Sequence, residues 1–171
     1  ETNKQRAIAF QTADNAFNKA NYELAAKLYA TLAEQGDAPA QAALGWMFNN
    51  GKGVPKNINE AIKCYQLAAD QDESTAQNNL GLVYEEGEGI PRDYKLALEW
   101  YRKSADQGNA LAGGNLGNMY FKGNGIPQDY NEASKWYRMA AEKNNAVGQF
   151  QLGWMYFNGL GVQQDHSEAA K

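Results

Sequence analysis

The sequence repeats itself every 36 residues, and that period constrains the fold more than any other feature. Leu44-Gly45 returns as Leu80-Gly81, Leu116-Gly117 and Leu152-Gly153, each pair 36 residues after the one before. In the same register Gly51-x-Gly53 returns as Gly87-x-Gly89, Gly123-x-Gly125 and Gly159-x-Gly161. Pro55 recurs as Pro91 and Pro127, Ala61 as Ala97, Ala133 and Ala169, and Tyr65 as Tyr101 and Tyr137. A period of this size belongs to stacked supersecondary units, because one unit alone cannot bury its apolar face. The fold expected is all-α: a solenoid of antiparallel helix pairs.

Within the unit at 38–73, Ala40, Leu44, Met47 and Phe48 fall at helical spacing, so the first helix, about Pro39 to Asn50, presents one inward stripe. Gly45 sits inside that helix, where glycine costs about 1 kcal/mol relative to alanine. Its return in every copy predicts a second helix packed too closely for a Cβ. Gly51-Lys52-Gly53-Val54-Pro55 then ends the helix. Asn57, Asp93, Asp129 and Asp165 stand as N-caps of the second helices. Glu60, Glu132 and Glu168, three residues on, complete a capping box that Leu96 breaks in the remaining copy.

The N-terminal residues differ. Ala25, Tyr29, Ala33 and Gln35-Gly36 keep the register of a second helix, but only a short turn near Ala20-Asn21-Tyr22 precedes them. An amphipathic helix from about Asn3 to Lys19 and this second helix make a plain hairpin of the kind that caps a solenoid. The expected organisation is a single repeat domain over 1–171. It comprises the hairpin at 1–37, full repeats at 38–73, 74–109 and 110–145, and a truncated repeat at 146–171. Leu152, Met155 and Tyr156 are expected to lack part of their cover. From this follows an expectation that the natural chain continues, or that this end is frayed or self-associates.

Net charge is −4, and no Lys or Arg run forms a stripe that would track phosphates, so nucleic acid is not an expected partner. Apolar stretches are too short for membrane insertion. The lone cysteine, Cys64, forms no internal disulfide and occupies the slot of Trp100 and Trp136, which reads as packing. The lone histidine, His166, has no partner of metal-site spacing, and no cofactor is expected. Ser74 and Ser104 are not followed by the lysine that serine acylation of the Ser-x-x-Lys type requires, so no catalytic residue is assigned and no enzyme is expected. The Gly-x-Gly pairs follow a helix rather than a strand, so they are loops and not dinucleotide fingerprints. Glu85, Glu86 and Glu88 read as a solvated acidic cluster.

The unit A-x-x-x-L-G-x-M-Y-x-x-G-x-G-I-P-x-D-Y-x-x-A-x-x-W-Y-x-x-A-A, most complete over Ala112 to Ala141, resembles the Sel-one-like repeat family of the tetratricopeptide superfamily. The resemblance covers about 38–171, while 1–37 is closer to a plain tetratricopeptide unit. It implies a right-handed α-α superhelix with a concave groove lined by first helices, and an adaptor role in bacterial envelope and signalling systems or the eukaryotic endoplasmic reticulum. Low cysteine use fits both a reducing cytosol and a bacterial periplasm and leaves the compartment open, with the bacterial periplasm or cell envelope slightly favoured over the cytoplasm. One cysteine-rich branch of the family is linked to penicillin binding and hydrolysis, but it carries a cysteine pair in each repeat, which this chain lacks.

Helical geometry sets some first-helix positions opposite the buried stripe, and the resemblance makes them groove slots. They are Trp46, Leu82, Asn118 and Trp154 after each Leu-Gly, then Asn49, Glu85, Phe121 and Phe157, and, four before the first set, Ala42, Asn78, Gly114 and Phe150. Core slots repeat because every packing interface is alike. These slots vary, and several are large aromatics, which make good binding anchors. The expected partner-binding residues are Trp46, Asn49, Asn78, Leu82, Glu85, Asn118, Phe121, Phe150, Trp154 and Phe157. Asn79 and Asn115 are expected to satisfy local backbone groups. Two readings of function stay open: a scaffold holding a protein or peptide partner, or a cell-wall protein that binds glycan or peptidoglycan fragments or weakly hydrolyses penicillins.

Overall fold

A computed structural model describes residues 3–170, and among these every regular element is helical. The helices are α1 (Asn3–Asn18), α2 (Tyr22–Glu34), α3 (Ala38–Asn50), α4 (Ile58–Ala69) and α5 (Ser74–Glu86). They continue as α6 (Tyr94–Asp106), α7 (Ala110–Lys122), α8 (Tyr130–Glu142), α9 (Ala146–Asn158) and α10 (His166–Ala169). Two compact units result, dividing within α5. Unit 1 holds the residues up to Leu80 with Glu88–Ile90, and unit 2 holds Gly81–Gly87 with the residues from Pro91 onward.

In each unit a helix packs on its neighbour in the chain. In unit 1, α1 lies on α2, α2 on α3 and α3 on α4. In unit 2, α6 lies on α7, α7 on α8, α8 on α9 and α9 on α10, and the first helices α7 and α9 also touch. Leu44, Leu80 and Leu116 are buried, as the inward stripe requires. The core is built from alanines, these leucines, Met47, Met119 and Met155, and the recurring tyrosines. Met155 is fully buried, contrary to the expectation that it lacks cover, because α8 and the loop residues Leu160 and Val162 close over it. Leu152 and Tyr156 are half-buried.

The repeated helix glycine has a specific neighbour. A Cβ on Gly45 would lie 2.7 Å from the Tyr65 ring, and one on Gly81 or Gly117 would lie 2.5 or 2.6 Å from Tyr101 or Tyr137. The aromatic ring takes the volume that a side chain would fill, which outweighs the helix cost of glycine.

In the loops, Gly51 caps α3 with φ +62°, and a Cβ on Gly53 would strike the Tyr22 carbonyl oxygen at 2.1 Å. The first glycine reverses the chain and the second lets the loop lie on the start of the preceding hairpin's second helix.

All four expected N-caps accept from the third residue along: Asn57 from the Glu60 N–H, Asp93 from Leu96, Asp129 from Glu132 and Asp165 from Glu168. The capping box is not completed at Glu60 and Glu132. The N–H of Asn57 donates to the Phe48 carbonyl and that of Asp129 to the Tyr120 carbonyl, each at 2.9 Å. With that donor taken by the first helix, Glu60 and Glu132 pair outward with Lys63 and Lys135. The cap before Leu96 is made the same way, so it loses nothing by lacking a glutamate.

Candidate functional site

The buried tyrosine of each hairpin sends its hydroxyl to a first helix, that of its own hairpin for Tyr29, Tyr101 and Tyr137 and that of the next hairpin for Tyr65, and the partner changes from copy to copy. The hydroxyl of Tyr29 donates to Asp14 Oδ1, that of Tyr101 to Glu85 Oε2 at 2.7 Å, and that of Tyr137 to Asn118 Oδ1 at 2.7 Å. Tyr65 is hydrogen-bonded to the Asn79 side chain. A buried hydroxyl needs a partner, and the repeat leaves the choice of partner open.

These bonds align the first hairpin with the others. Asp14 precedes its tyrosine by 15 residues and Asn118 precedes its own by 19. The turn between α1 and α2 has three residues, Lys19–Asn21, where that between α7 and α8 has seven, Gly123–Asp129, which accounts for the four missing. Asp14 therefore holds the slot of Trp46, Leu82, Asn118 and Trp154. By the same shift Phe17 holds the slot of Asn49, Glu85, Phe121 and Phe157, and Phe10 that of Ala42, Asn78, Gly114 and Phe150. Counting in steps of 36 misses all three, and the length of the first turn is the signal that recovers them.

In unit 1 these residues surround a cleft of about 370 Å³ walled by Phe10, Phe17 and Trp46, with Asp14, Glu73 and Asn79 on its lining. Phe17 and Trp46 meet edge to face, with ring centroids 5.3 Å apart, and Phe17 also meets Tyr22 at 5.3 Å. Trp46 keeps 36% of its surface exposed. Glu73 Oε2 accepts from the Ala76 N–H and caps α5. Asn79 lines this cleft and holds Tyr65, so its role is not confined to local backbone groups.

Unit 2 repeats the aromatic arrangement at equivalent positions. Phe121 and Trp154 meet edge to face at 5.8 Å, and Phe121 meets Tyr130 at 5.1 Å. Phe157 packs on His166 at 5.0 Å, and Phe150 is 71% exposed. Leu82 is half-buried against the α6–α7 core, Asn49 is half-buried, and Glu85 and Asn118 are committed to tyrosines. Asn78 does not face outward. It is 2% exposed, with its amide directed at Asn79 Oδ1. At Gly114, which holds the same slot, a Cβ would meet Asn145 and Val147 at the start of the next first helix, so this slot is a packing position.

The acidic cluster at the α5–α6 loop is dispersed: Glu85 holds Tyr101 and Glu88 pairs with Lys56 at 2.7 Å. Burial raises the Cys64 thiol above its ordinary value, with a further push from Glu60, and this disfavours the thiolate. Among the described residues no group of three or more His, Cys, Asp or Glu is placed to hold a metal ion, and no helix is long and apolar enough to cross a membrane.

The model of the Sel1 repeat matches residues 19–37, 38–73, 74–109, 114–145 and 146–171. The chain belongs to the Sel1 repeat family. The match over 19–37 takes the repeat into the second helix of the N-terminal hairpin, further than its short turn suggests. Among solved structures, this Sel1 repeat chain is similar to c5321, a protective antigen present in uropathogenic Escherichia coli strains displaying an SLR fold. The identity is 34%, the TM-score 0.86, and the match covers 96% of this chain and 36% of that one. It is also similar to a Sel1 repeat protein from Oxalobacter formigenes at 38% identity and TM-score 0.79, over 86% of this chain and 59% of that one. The chain thus spans less than two thirds of either relative. Helicobacter pylori cysteine rich protein B shares the fold at 22% identity and TM-score 0.53, over 67% of this chain and 81% of that one. No curated protein sequence matches significantly. Sel1 repeat proteins are generally scaffolds for protein interaction.

Proposed function

We propose that this chain is a non-enzymatic scaffold that binds a peptide or a segment of a partner protein on its first-helix faces, chiefly in the unit 1 cleft. The observation that carries this reading is the cleft between Phe10, Phe17 and Trp46. Large aromatics partly exposed around a concavity, as Trp46 is and the half-buried Phe10 and Phe17 are, lose little entropy and bury further area when a ligand covers them. The same edge-to-face pair at Phe121 and Trp154 in unit 2 supports a second contact of the same kind. An extended peptide or a partner helix docks in this way, with side-chain pockets giving specificity.

The test is a random peptide library displayed on phage and panned against the folded chain. Enriched peptides should bind wild type and lose binding to the Trp46→Ala, Phe121→Ala double variant, while circular dichroism shows the variant still folded. Failure to enrich any peptide, or enriched peptides that bind the double variant equally well, would reject the reading. Saturable turnover of nitrocefin by the pure chain would reject its non-enzymatic part.

A further inference from the structure

The unit 1 cleft has a chemical bias beyond its shape. Its lining carries two carboxylates, Asp14 and Glu73, and no lysine or arginine. Each carboxylate gives one oxygen to the fold: Asp14 Oδ1 accepts from the Tyr29 hydroxyl, and Glu73 Oε2 accepts from the Ala76 N–H. Among the described residues no donor is placed on Asp14 Oδ2 or Glu73 Oε1. Around them stand the rings of Phe10, Phe17 and Trp46, whose faces are electronegative.

Carboxylates beside ring faces, in a concavity partly closed to water, favour a cation and repel an anion. Between the two natural cations, the geometry favours the guanidinium. It is planar and weakly hydrated, it stacks on aromatic faces, and its fork reaches two carboxylate oxygens at once. An ammonium would keep more of its hydration and stack less well.

Resting on the reading that this cleft binds peptide, we infer that its occupant is an arginine side chain of the bound segment, paired with Asp14 and Glu73 and stacked on Trp46. The overall charge of −4 adds long-range attraction for a basic segment.

Fluorescence anisotropy of a labelled heptapeptide, Gly-Ser-Leu-Arg-Leu-Ser-Gly, tests the inference against two analogues. One carries citrulline, a neutral isostere, at the centre, and the other carries norleucine. The arginine peptide should bind about ten-fold or more tighter than either analogue, the scale of one hydrogen bond to a charged group. Its affinity should fall as salt rises. The Asp14→Asn, Glu73→Gln double variant keeps amide oxygens where Tyr29 and Ala76 donate, so it should fold as wild type and lose that preference.

If the citrulline and norleucine peptides bind within about two-fold of the arginine peptide and Trp46→Ala weakens all three, the arginine assignment falls while the peptide cleft stands. Binding of the arginine peptide that survives both the carboxylate variant and Trp46→Ala places it elsewhere and overturns the inference. So does a wild-type chain that binds none of the three.

Discussion

Tyr29, Tyr65, Tyr101 and Tyr137 each do two jobs, and the burial that comes with them limits the pH range of the fold. Each ring fills core, and three of them press on a glycine too tightly for a Cβ. Each hydroxyl reaches a first-helix side chain, in one case through a bond that Asn79 makes to Tyr65. Burial is the main cause that raises all four phenols above the usual 10.0, and the neighbouring carboxylates of Asp14 and Glu85 push Tyr29 and Tyr101 further. The sign follows from linkage. Below 10.0 the phenol is protonated whether folded or unfolded, so stability does not change with pH on this account. Above it the unfolded chain releases protons that the folded chain retains, and stability falls as pH rises. Denaturant midpoints measured between about pH 8 and about pH 11 should therefore hold and then drop, with the phenolate absorbance of these four tyrosines appearing only as the chain unfolds. A midpoint that stays level through about pH 11 would show that the hydroxyls are open to water.

The helices are stopped and started by groups that differ in how local they are. The N-cap side chain acts within its own turn, and Asp129 satisfies the Glu132 N–H at 3.0 Å. Asp129→Ala should cost about 1 kcal/mol in urea unfolding, the usual worth of a cap. Glu132→Gln should leave the midpoint unchanged, because Glu132 only pairs with the exposed Lys135. The reverse ranking would mean that the glutamate, not the aspartate, closes the helix start. This contrast also marks what the sequence could tell. Caps, the loop glycines and the Leu-Gly stripe are legible because their causes lie within one repeat. The unused half of the capping box was not legible, since the donor is taken by a carbonyl of the preceding helix, at Tyr120 for Asp129. The cleft residues Phe10, Asp14 and Phe17 were hidden for a simpler reason: a turn four residues shorter than its counterparts shifts their register against the other copies. Glu73 enters the cleft only by tertiary placement, as the residue that caps α5.

A chain built by repetition has no single centre, and its stability is distributed along it. Within each unit a helix buries its face on the next in the chain, so the free energy of that unit is close to a sum of hairpin terms and neighbour terms. In unit 1 one cluster joins Ala13, Tyr29, Leu44 and Met47, while unit 2 has its own clusters around Tyr101 with Leu116 and around Tyr137 with Met155. The glycine–tyrosine contact offers the same perturbation in either place. Gly45→Ala drives a methyl to 2.7 Å from the Tyr65 ring, and Gly117→Ala drives one to 2.6 Å from Tyr137. Overpacking of this kind costs about 1–3 kcal/mol, more than the roughly 1 kcal/mol that alanine returns in helix propensity. If neighbour terms dominate, the loss stays near its source. Hydrogen exchange of the Gly45→Ala chain should then show weakened protection in α2, α3 and α4 with α7, α8 and α9 close to wild type, and Gly117→Ala should show the opposite pattern. Equal loss across all helices from either substitution would mean that the repeats unfold as one block, and the additive picture would fail for this chain.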